Sequence, residues 1–477
     1  MSNHLRIWIL VLAVVVYVPL AGAAQSEQSG GQGAQPSGQV TSVNNPQAPE
    51  QQQVPSTSGE ENSLVGVERF SPTEVSGTRS YILPSFQFSE RADSNFRISS
   101  GPQRFETISS LVGRLSMQRV GRRWRTVTDY SGGALIYTNH SELNTTMHQF
   151  GITQYYTGRR WNFLLDDRAA YIPESRFGFG GFGWSGSLGM SLGGAFGTNL
   201  GGLNASFDPT SSILTGRGSR ILNTVSTQIG YRLSRRSNLT LAGSYGVLHF
   251  RTAGYSNTRN SYFQVGYSRT LSPKDQVGIS YGFGLFQYPG GVASFQTHYL
   301  RLSYGRRISS RMTASLEGGA QMGVFKNATA GSTTPVSWTA GTSVNYRARL
   351  ANFSVNYNRY TTNGGGLLYG ATTDYIYMGV SKGLGRNWSA SLSPGFSRSR
   401  SLPQNTASSQ GAVYDSASVG GSLSRRLGRY MSLFLGYNFQ TQRYRSASCT
   451  TGNCGTTLLR HSINVGFDWH PRQIMVN

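Results

Sequence analysis

The stretch Gln276–Gln287 decides the fold class of this chain: Gln-Val-Gly-Ile-Ser-Tyr-Gly-Phe-Gly-Leu-Phe-Gln. Large apolar side chains occupy one set of alternate positions, and glycine or serine fills most of the other set. Side chains on a β-strand point to opposite faces in turn, so this pattern predicts a strand with one apolar face and one small, polar face. The apolar set is Val277, Ile279, Tyr281, Phe283 and Leu285, and the other set begins Gly278, Ser280, Gly282, Gly284.

The same alternation recurs at hairpin spacing over most of the chain. Short turns alternate with longer loops between the predicted strands, as in an antiparallel barrel. The downstream strands are predicted at 221–233, 238–252, 259–271, 275–288, 294–306, 311–325, 335–348, 351–362, 372–383, 387–399, 412–426, 430–444 and 458–470. The upstream strands are predicted at 107–119, 124–138, 144–157 and 160–172.

These segments give an odd total, whereas single-chain bacterial barrels have even strand numbers. One more strand is therefore expected before residue 107, and Ser80–Ser89 fits, with Ile82, Phe86 and Phe88 on one face. Pro84 counts against it, because proline cannot donate a hydrogen bond to a strand ladder. The sequence predicts about 18 strands, with about 16 as the alternative.

Composition decides which way the two faces point. Only 37% of the residues are hydrophobic, which is low for a large soluble core, while there are 60 glycines and 12% aromatic residues. A membrane barrel turns its apolar face to lipid and its polar face to a water-filled interior, with aromatic girdles at the interfaces. We therefore expect an all-β fold, a transmembrane antiparallel β-barrel whose lumen is too wide for side chains to fill.

The chain divides into segments of different composition. Residues 1–24 have a positive charge, an apolar run and a small-residue cleavage motif, which predict a signal peptide for export to the outer membrane of a Gram-negative bacterium. Residues 25–77 are rich in Gln, Ser, Gly and Pro and are expected to be disordered in the periplasm. The barrel is predicted over 78–471, interrupted by a long extracellular loop at 173–220, and 472–477 form a C-terminal tail. Folded inward, that loop would constrict or plug the pore; folded outward, it would bind a ligand, a phage or a neighbouring cell. A mobile loop with no role is the alternative.

The last predicted strand has alternating apolar and polar positions up to Trp469. This pattern resembles the assembly signal of outer-membrane proteins, which implies the barrel assembly machinery as a partner. Those signals usually end on Phe, whereas this chain continues through His470–Asn477. The repeating strand-Ser-Arg-Arg-Ser-strand texture also resembles large porin-like barrels, including barrels found beside exopolysaccharide export systems. The outward set is Ile463, Val465, Phe467 and Trp469, and the inward set is Ser462, Asn464, Gly466 and Asp468.

The formal net charge is +23, and ten arginines lie at or beside the predicted periplasmic turns, whereas loops on the other side, such as 289–294 and 327–335, carry no charge. This distribution argues against a nucleic-acid partner and favours arginines that anchor one rim to the headgroups of outer-membrane lipid. A docking surface for peptidoglycan or for a partner in an export system is the alternative. The rim arginines are Arg122, Arg123, Arg159, Arg160, Arg235, Arg236, Arg306, Arg307, Arg425 and Arg426.

Four charged residues are expected on the lumen-facing side of their strands by alternation: Arg114, Arg232, Arg301 and Glu317. Three arginines to one glutamate indicate a weakly anion-preferring pore. Cys449 and Cys454 lie in the last predicted extracellular loop of an exported protein, which predicts a disulfide.

No set of residues fixes a nucleophile, a base and an oxyanion hole, and no cofactor or metal site is expected. The leading hypothesis is passive diffusion of small hydrophilic solutes. A structural or export-associated barrel is the alternative, and an outer-membrane hydrolase is less favoured. Nothing in the sequence indicates the solute or the oligomeric state.

Overall fold

The computed structural model describes residues 79–96, 105–173, 219–289, 293–327, 331–334, 336–362, 364–402, 411–445 and 457–476. Over these ranges the chain forms 18 long β-strands, two short strands and two 3-10 turns. No helix within the same ranges is long and apolar enough to cross a membrane.

Each long strand pairs antiparallel with the next one along the chain, and the last pairs with the first. Phe88 of β1 lies opposite Phe467 of β19, so the sheet closes on itself. The first nine strands are β1 (Tyr81–Asp93), β2 (Glu106–Val120), β3 (Trp124–Tyr137), β4 (Thr145–Thr157), β5 (Trp161–Ile172), β6 (Arg220–Arg232), β7 (Ser237–Phe250), β8 (Thr258–Thr270) and β9 (Asp275–Tyr288). The remaining strands are β10 (Ala293–Ser309), β11 (Met312–Asn327), the short β12 (Gly331–Thr333), β13 (Val336–Arg347), β14 (Ala351–Thr362), β15 (Ala371–Gly383), β16 (Trp388–Ser401), β17 (Val413–Arg426), β18 (Met431–Arg445), β19 (Thr457–Trp469) and the short β20 (Ile474–Met475).

The predicted all-β, transmembrane antiparallel barrel of about 18 strands is confirmed, and the alternative of 16 strands is not. The expected first strand at Ser80–Ser89 is present as β1 and extends to Asp93. The predicted segments 1–24 and 25–77 lie outside the described residues and stay predictions.

Pro84 is tolerated because the pairing along one edge of β1 is interrupted beside it. On that edge β19 pairs with β1 from Phe86 onward, and β20 pairs with Tyr81 and Ile82. Residues 83–85 therefore face the connection between β19 and β20, where no ladder hydrogen bond is formed, and the missing N–H of proline costs nothing there. The C-terminal residues continue the edge of β19, with Val476 N donating to Ser80 O at 3.1 Å.

The two ends of the barrel differ in the length of their connections. At one end, called the short-turn end, turns of a few residues join β2 to β3, β4 to β5 and so on to β17 and β18. Both chain ends of the barrel lie there too, since Tyr81 pairs with Gln118 near the end of β2. At the other, long-loop end the connections are longer, and the one between β5 and β6 runs from 173 to 219.

The outer surface is apolar, whereas most buried polar side chains lie on the inner surface. Val465 is 46% exposed, whereas its neighbour Asn464, on the inner face, is 2% exposed. Leu302, Leu316 and Trp338 are similarly exposed on the outside. A closed barrel satisfies every backbone group between strands, so an apolar outer band and a polar inside are the properties of a transmembrane β-barrel.

The inner face divides into three sectors, which are named here by their side chains. The charged sector comprises the inward faces of β19 and β1–β6. The aromatic sector comprises those of β7–β11. The neutral sector comprises those of β13–β18, where serine, threonine, asparagine and glutamine predominate between the two ends.

Candidate functional site: the barrel lumen

Arg114 lies in the charged sector on β2, between two acceptors from neighbouring strands. Its guanidinium donates to Oε1 of Gln87 on β1 and lies 3.8 Å from the carboxylate of Asp468 on β19. The strand order brings the three together, because β1 is flanked by β2 and β19. The positive charge of Arg114 is thus largely balanced within the wall.

Arg301 and Glu317 form the only close pair among the four predicted lumen residues. Arg301 on β10 is 5% exposed, and its guanidinium lies 3.6 Å from Glu317 on β11 and 4.3 Å from the centre of the Tyr299 ring. Glu317 lies directly opposite Gly341 on β13. A Cβ at Gly341 would come within 2.7 Å of the Glu317 carboxylate, so the glycine leaves the space that this side chain occupies.

Arg232 is separate from the others. It is the last residue of β6 and is exposed at the short-turn end. Arg114, Arg232 and the Arg301–Glu317 pair therefore lie on different parts of the wall and do not form one site.

Two further ion pairs line the charged sector and were not found from the sequence. Asp93 is fully buried, and both its carboxylate oxygens accept from Nε of Arg460, at 2.9 and 3.1 Å. Asp166 accepts from Nε of Arg168 at 2.9 Å and from the Thr153 hydroxyl at 2.7 Å. Alternation places each of these residues on an inward face; Asp93 meets Arg460 only because the barrel closes, whereas Asp166 and Arg168 lie two residues apart on β5.

The aromatic sector carries a stack of rings near the long-loop end. Phe295 stacks on Phe286, with ring centroids 4.2 Å apart and an interplanar angle of 12°, and on Phe325 at 5.9 Å. Tyr288 on the same wall meets Tyr369 edge-on at 5.1 Å. Tyr369 belongs to the connection between β14 and β15, so that connection reaches this wall from the neutral sector.

The connection reaches the aromatic sector because the end of β14 departs from β13. The pairing of these strands ends at Arg359 opposite Ala340. Two residues later, the carbonyl of Thr361 accepts from the Tyr262 hydroxyl at 3.5 Å, and its hydroxyl accepts from the amide of Gln321. These contacts to β8 and β11 draw the end of β14 into the barrel.

Residues 364–370, called here the inner loop, continue from that point across the long-loop end of the lumen. The backbone N–H of Ser256 donates to Gly366 O at 2.8 Å, and that of Leu402 donates to Gly370 O at 3.2 Å. Gly366 has a φ of +85°, and a Cβ there would collide with the Phe250 ring. Tyr255 stacks on Phe250 at 4.7 Å, and burial raises the pKa of its hydroxyl. The inner loop thus narrows the lumen on this side.

The neutral sector presents paired hydroxyls. Serine oxygens meet across β16 and β17, at 2.6 Å for Ser389 and Ser424 and at 2.5 Å for Ser391 and Ser422. Nearer the long-loop end, Ser416 donates to Gln442 at 2.9 Å. Hydroxyls can donate and accept, so this wall can exchange hydrogen bonds with water and with uncharged polar solutes.

Several predicted features are at the short-turn end or outside the described residues. The ten rim arginines all lie in or beside the connections of the short-turn end, where Arg306 is 3.7 Å from Asp275 and Arg425 is 5.2 Å from the Trp388 ring. Most of the predicted loop 173–220 falls outside the described residues. So do Cys449 and Cys454, and their predicted disulfide stays a prediction.

Among the described residues, no group of three His, Cys, Asp or Glu side chains could hold a metal ion. His140 does pair with a carboxylate, with its Nδ1 2.7 Å from Glu106 Oε2. The Phe96 ring packs 4.7 Å from the imidazole. This pair joins the β3–β4 connection to the start of β2.

No protein-family model and no curated protein matches the sequence. Solved structures with similar backbones include OccK2 (OpdF) of Pseudomonas aeruginosa in complex with glucuronate, at 8% identity over 82% of this chain and 98% of that one, with a TM-score of 0.43. OprD of Pseudomonas aeruginosa matches at 8% identity over 84% and 98%, with a TM-score of 0.40. The ferric citrate transporter FecA matches at 12% identity over 81% of this chain and 64% of its own, also at 0.40. At these scores the likeness supports no conclusion about function, and the porin-like architecture stands on the closed barrel and its two faces.

Proposed function

We propose that the protein is an outer-membrane channel through which small hydrophilic solutes diffuse passively. The observation that carries the proposal is a closed barrel of 18 strands whose inner face carries polar side chains in each of the three sectors. A barrel of this strand number is too wide for wall side chains to fill, so water and solutes can occupy the remaining space. The predicted signal peptide at 1–24 supplies the export step that this location requires.

The inner loop supports a size limit for the solute. It extends from the neutral sector to Phe250 and Tyr288 on the aromatic sector, so it reduces the open cross-section at the long-loop end. A solute passing this level meets tyrosine side chains, and it meets the paired serines nearer the short-turn end. These groups suit small polar molecules better than large or apolar ones.

A weak preference for anions is part of the proposal. Ion pairs balance most lumen charges, whereas Arg232 and the rim arginines at the short-turn end are in clear excess over acidic residues. A mouth lined by one sign of charge raises the local concentration of the opposite ion. The same arginines favour contact with lipid headgroups and, as the second candidate, a docking surface for peptidoglycan or an export partner.

Planar-bilayer recordings of the full-length refolded protein test this function. The wild type should give steady conductance and a reversal potential that shows modest anion preference under a salt gradient. A variant in which two glycines replace residues 364–370 should conduct severalfold more. Gly366→Ala should also raise conductance, because its Cβ displaces the inner loop from Phe250, whereas Gly254→Ala is the matched control: Gly254 has a φ of +91° and open space around it.

Silence of all variants, with circular dichroism showing folded barrels, would overturn the channel and favour an export-associated or structural role. A silent wild type with a conducting loop variant would contradict free diffusion and make the inner loop a closed gate. Equal conductance in all forms would show that the inner loop does not limit passage.

A further inference from the structure

A row of alternating charges crosses the outer face of five adjacent strands near the long-loop end. Each member lies directly opposite the next in the strand register. The row, called here the outer charge row, is Arg359 on β14, Asp374 on β15, Arg398 on β16, Asp415 on β17 and Arg443 on β18.

Two neighbouring pairs within the row are in contact, Arg359 with Asp374 and Arg398 with Asp415. Arg359 Nη1 donates to both oxygens of Asp374, at 2.9 and 3.0 Å, and the Tyr357 hydroxyl donates to the same carboxylate at 3.0 Å. Arg398 Nε lies 3.4 Å from Asp415, which also accepts from Arg445. Carboxylates bound in this way fix the directions of the neighbouring guanidiniums.

These side chains point to the lipid side of the wall, not to the lumen. Arg359 alternates with the outward Val355 and Phe353, and its guanidinium lies 4.2 Å from the centre of the exposed Trp338 ring. Charged side chains on the lipid face are costly at the midplane of a bilayer and cheap near its interfaces. The row is therefore expected at the level of the lipid headgroups.

The distance along β16 between the row and the short-turn end supports a position of the row at the level of the lipid headgroups. On β16, ten residues separate Arg398 from Trp388, which lies beside Arg425 at the short-turn end. At a rise of about 3.3 Å per residue and a tilt near 40°, this distance spans about 25 Å along the barrel axis, the usual height of the apolar band. The outward residues between them include Leu392 and Phe396, both apolar. The row and the rim arginines thus mark the two edges of one membrane span.

Positive charge exceeds negative charge in and beside the row. The side chains of Arg400 and Arg443 are exposed, and neither guanidinium forms an ion pair with the described part of the chain. With Arg359, Arg398 and Arg445 they form a cationic strip that two aspartates neutralise only in part. Guanidinium groups bind phosphate through paired, charge-assisted hydrogen bonds, and aromatic rings such as Trp338 pack well at the interface.

We propose that the outer charge row binds the phosphate groups of a lipid headgroup in the leaflet at the long-loop end. Asp374 and Asp415 position Arg359, Arg398 and Arg445, and the exposed Arg443 of the row and Arg400 beside it supply further donors for phosphate. The site lies outside the lumen, so it does not depend on the proposed channel function.

The test uses the full-length protein refolded in nanodiscs of neutral lipid, with bis-phosphorylated lipid A as the probe. Wild-type protein should bind this lipid about tenfold more tightly than the variant Arg400→Ala/Arg443→Ala, as native mass spectrometry would show. The matched control, Arg386→Ala/Arg429→Ala, removes the same charge from exposed turns at the other end and should bind as the wild type does. Lipid A without its phosphates should bind the wild type no better than it binds the variant.

Circular dichroism and conductance show whether the variants fold, since neither pair of arginines lies in the lumen. Equal binding of lipid A by the wild type and Arg400→Ala/Arg443→Ala would overturn the proposal. So would displacement of the lipid by millimolar inorganic phosphate, which would indicate a general anion site. A wild type that self-associates through this face, and a variant that is monomeric with unchanged lipid binding, would instead make the row an interface between copies of the chain.

Discussion

The charged and neutral sectors obey the same alternation but turn their charges in opposite directions. In the charged sector, Arg114, Asp166 and Asp93 face the lumen. In the neutral sector the inner face carries serine and asparagine, and the arginines and aspartates lie outside, as the outer charge row. A shift of one residue along a strand moves a charge from one face to the other. The sequence position of a charge therefore decides whether it meets water and solute or lipid headgroups.

The difference has a consequence for the electric field in the lumen. Inward arginines in the charged sector mostly have a carboxylate partner, so they stabilise the wall more than they bias passing ions. Outward charges in that sector are exceptions and are also hydrogen-bonded: Glu90 accepts from Ser109 at 2.7 Å, and Asp167 accepts from Asn223 at 2.9 Å. The preference of the channel for anions or cations is then expected to depend on whether the few inward arginines keep their carboxylate partners.

The largest expected effect is on stability in the charged sector. Asp93→Ala leaves the nearly buried guanidinium of Arg460 without its main acceptor, which should lower the free energy of unfolding by about 3 kcal/mol. Urea unfolding in lipid vesicles measures the loss. The double variant Asp93→Ala/Arg460→Ala should recover part of it, because no uncompensated charge remains.

If Asp93→Ala lowers the free energy of unfolding by less than about 1 kcal/mol, the Asp93–Arg460 pair contributes no more than an ordinary exposed ion pair. The charged sector would then not owe its stability to buried ion pairs.

The second effect is on ion selectivity. Asp468→Asn removes the carboxylate 3.8 Å from Arg114 and leaves a positive charge facing the lumen. The ratio of anion to cation permeability should rise about two- to fivefold at low salt, measured from the reversal potential. Asp415→Asn removes the same charge from the outer face and is the matched control, so its permeability ratio should equal that of the wild type. A change of equal size in both variants would contradict the assignment of the two faces.

The strands could be predicted from the sequence because lumen-facing and lipid-facing residues alternate over every strand. The expectation of an even number of strands also located β1, although Pro84 counted against a strand there. The Asp93–Arg460 pair could not be predicted, since the two residues are far apart in the chain and meet only through closure of the barrel. Asp166 and Arg168 are two residues apart on one face of β5, so alternation alone could have paired them. The inner loop was also missed. Its position depends on contacts of Thr361 with Tyr262 and Gln321, which no local pattern in the loop encodes.

The outer charge row has a signal in the sequence. Asp374, Arg398 and Asp415 each fall a few residues from the same end of their strands, on the apolar face of the alternation. Charges on the apolar face therefore mark the edges of the membrane band.

The smallest expected effect is in the neutral sector, where Ser391→Ala breaks the hydroxyl pair with Ser422. Both serines are exposed in the lumen, so water can replace the lost partner. The free energy of unfolding should change by less than about 0.5 kcal/mol, far less than for Asp93→Ala, in the same urea experiment. Conductance should also stay unchanged, because the substitution removes no charge and adds no bulk. A loss above about 1.5 kcal/mol would show that the paired serines hold β16 to β17 as a connected network, and the two sectors would then differ in chemistry but not in how their walls are stabilised.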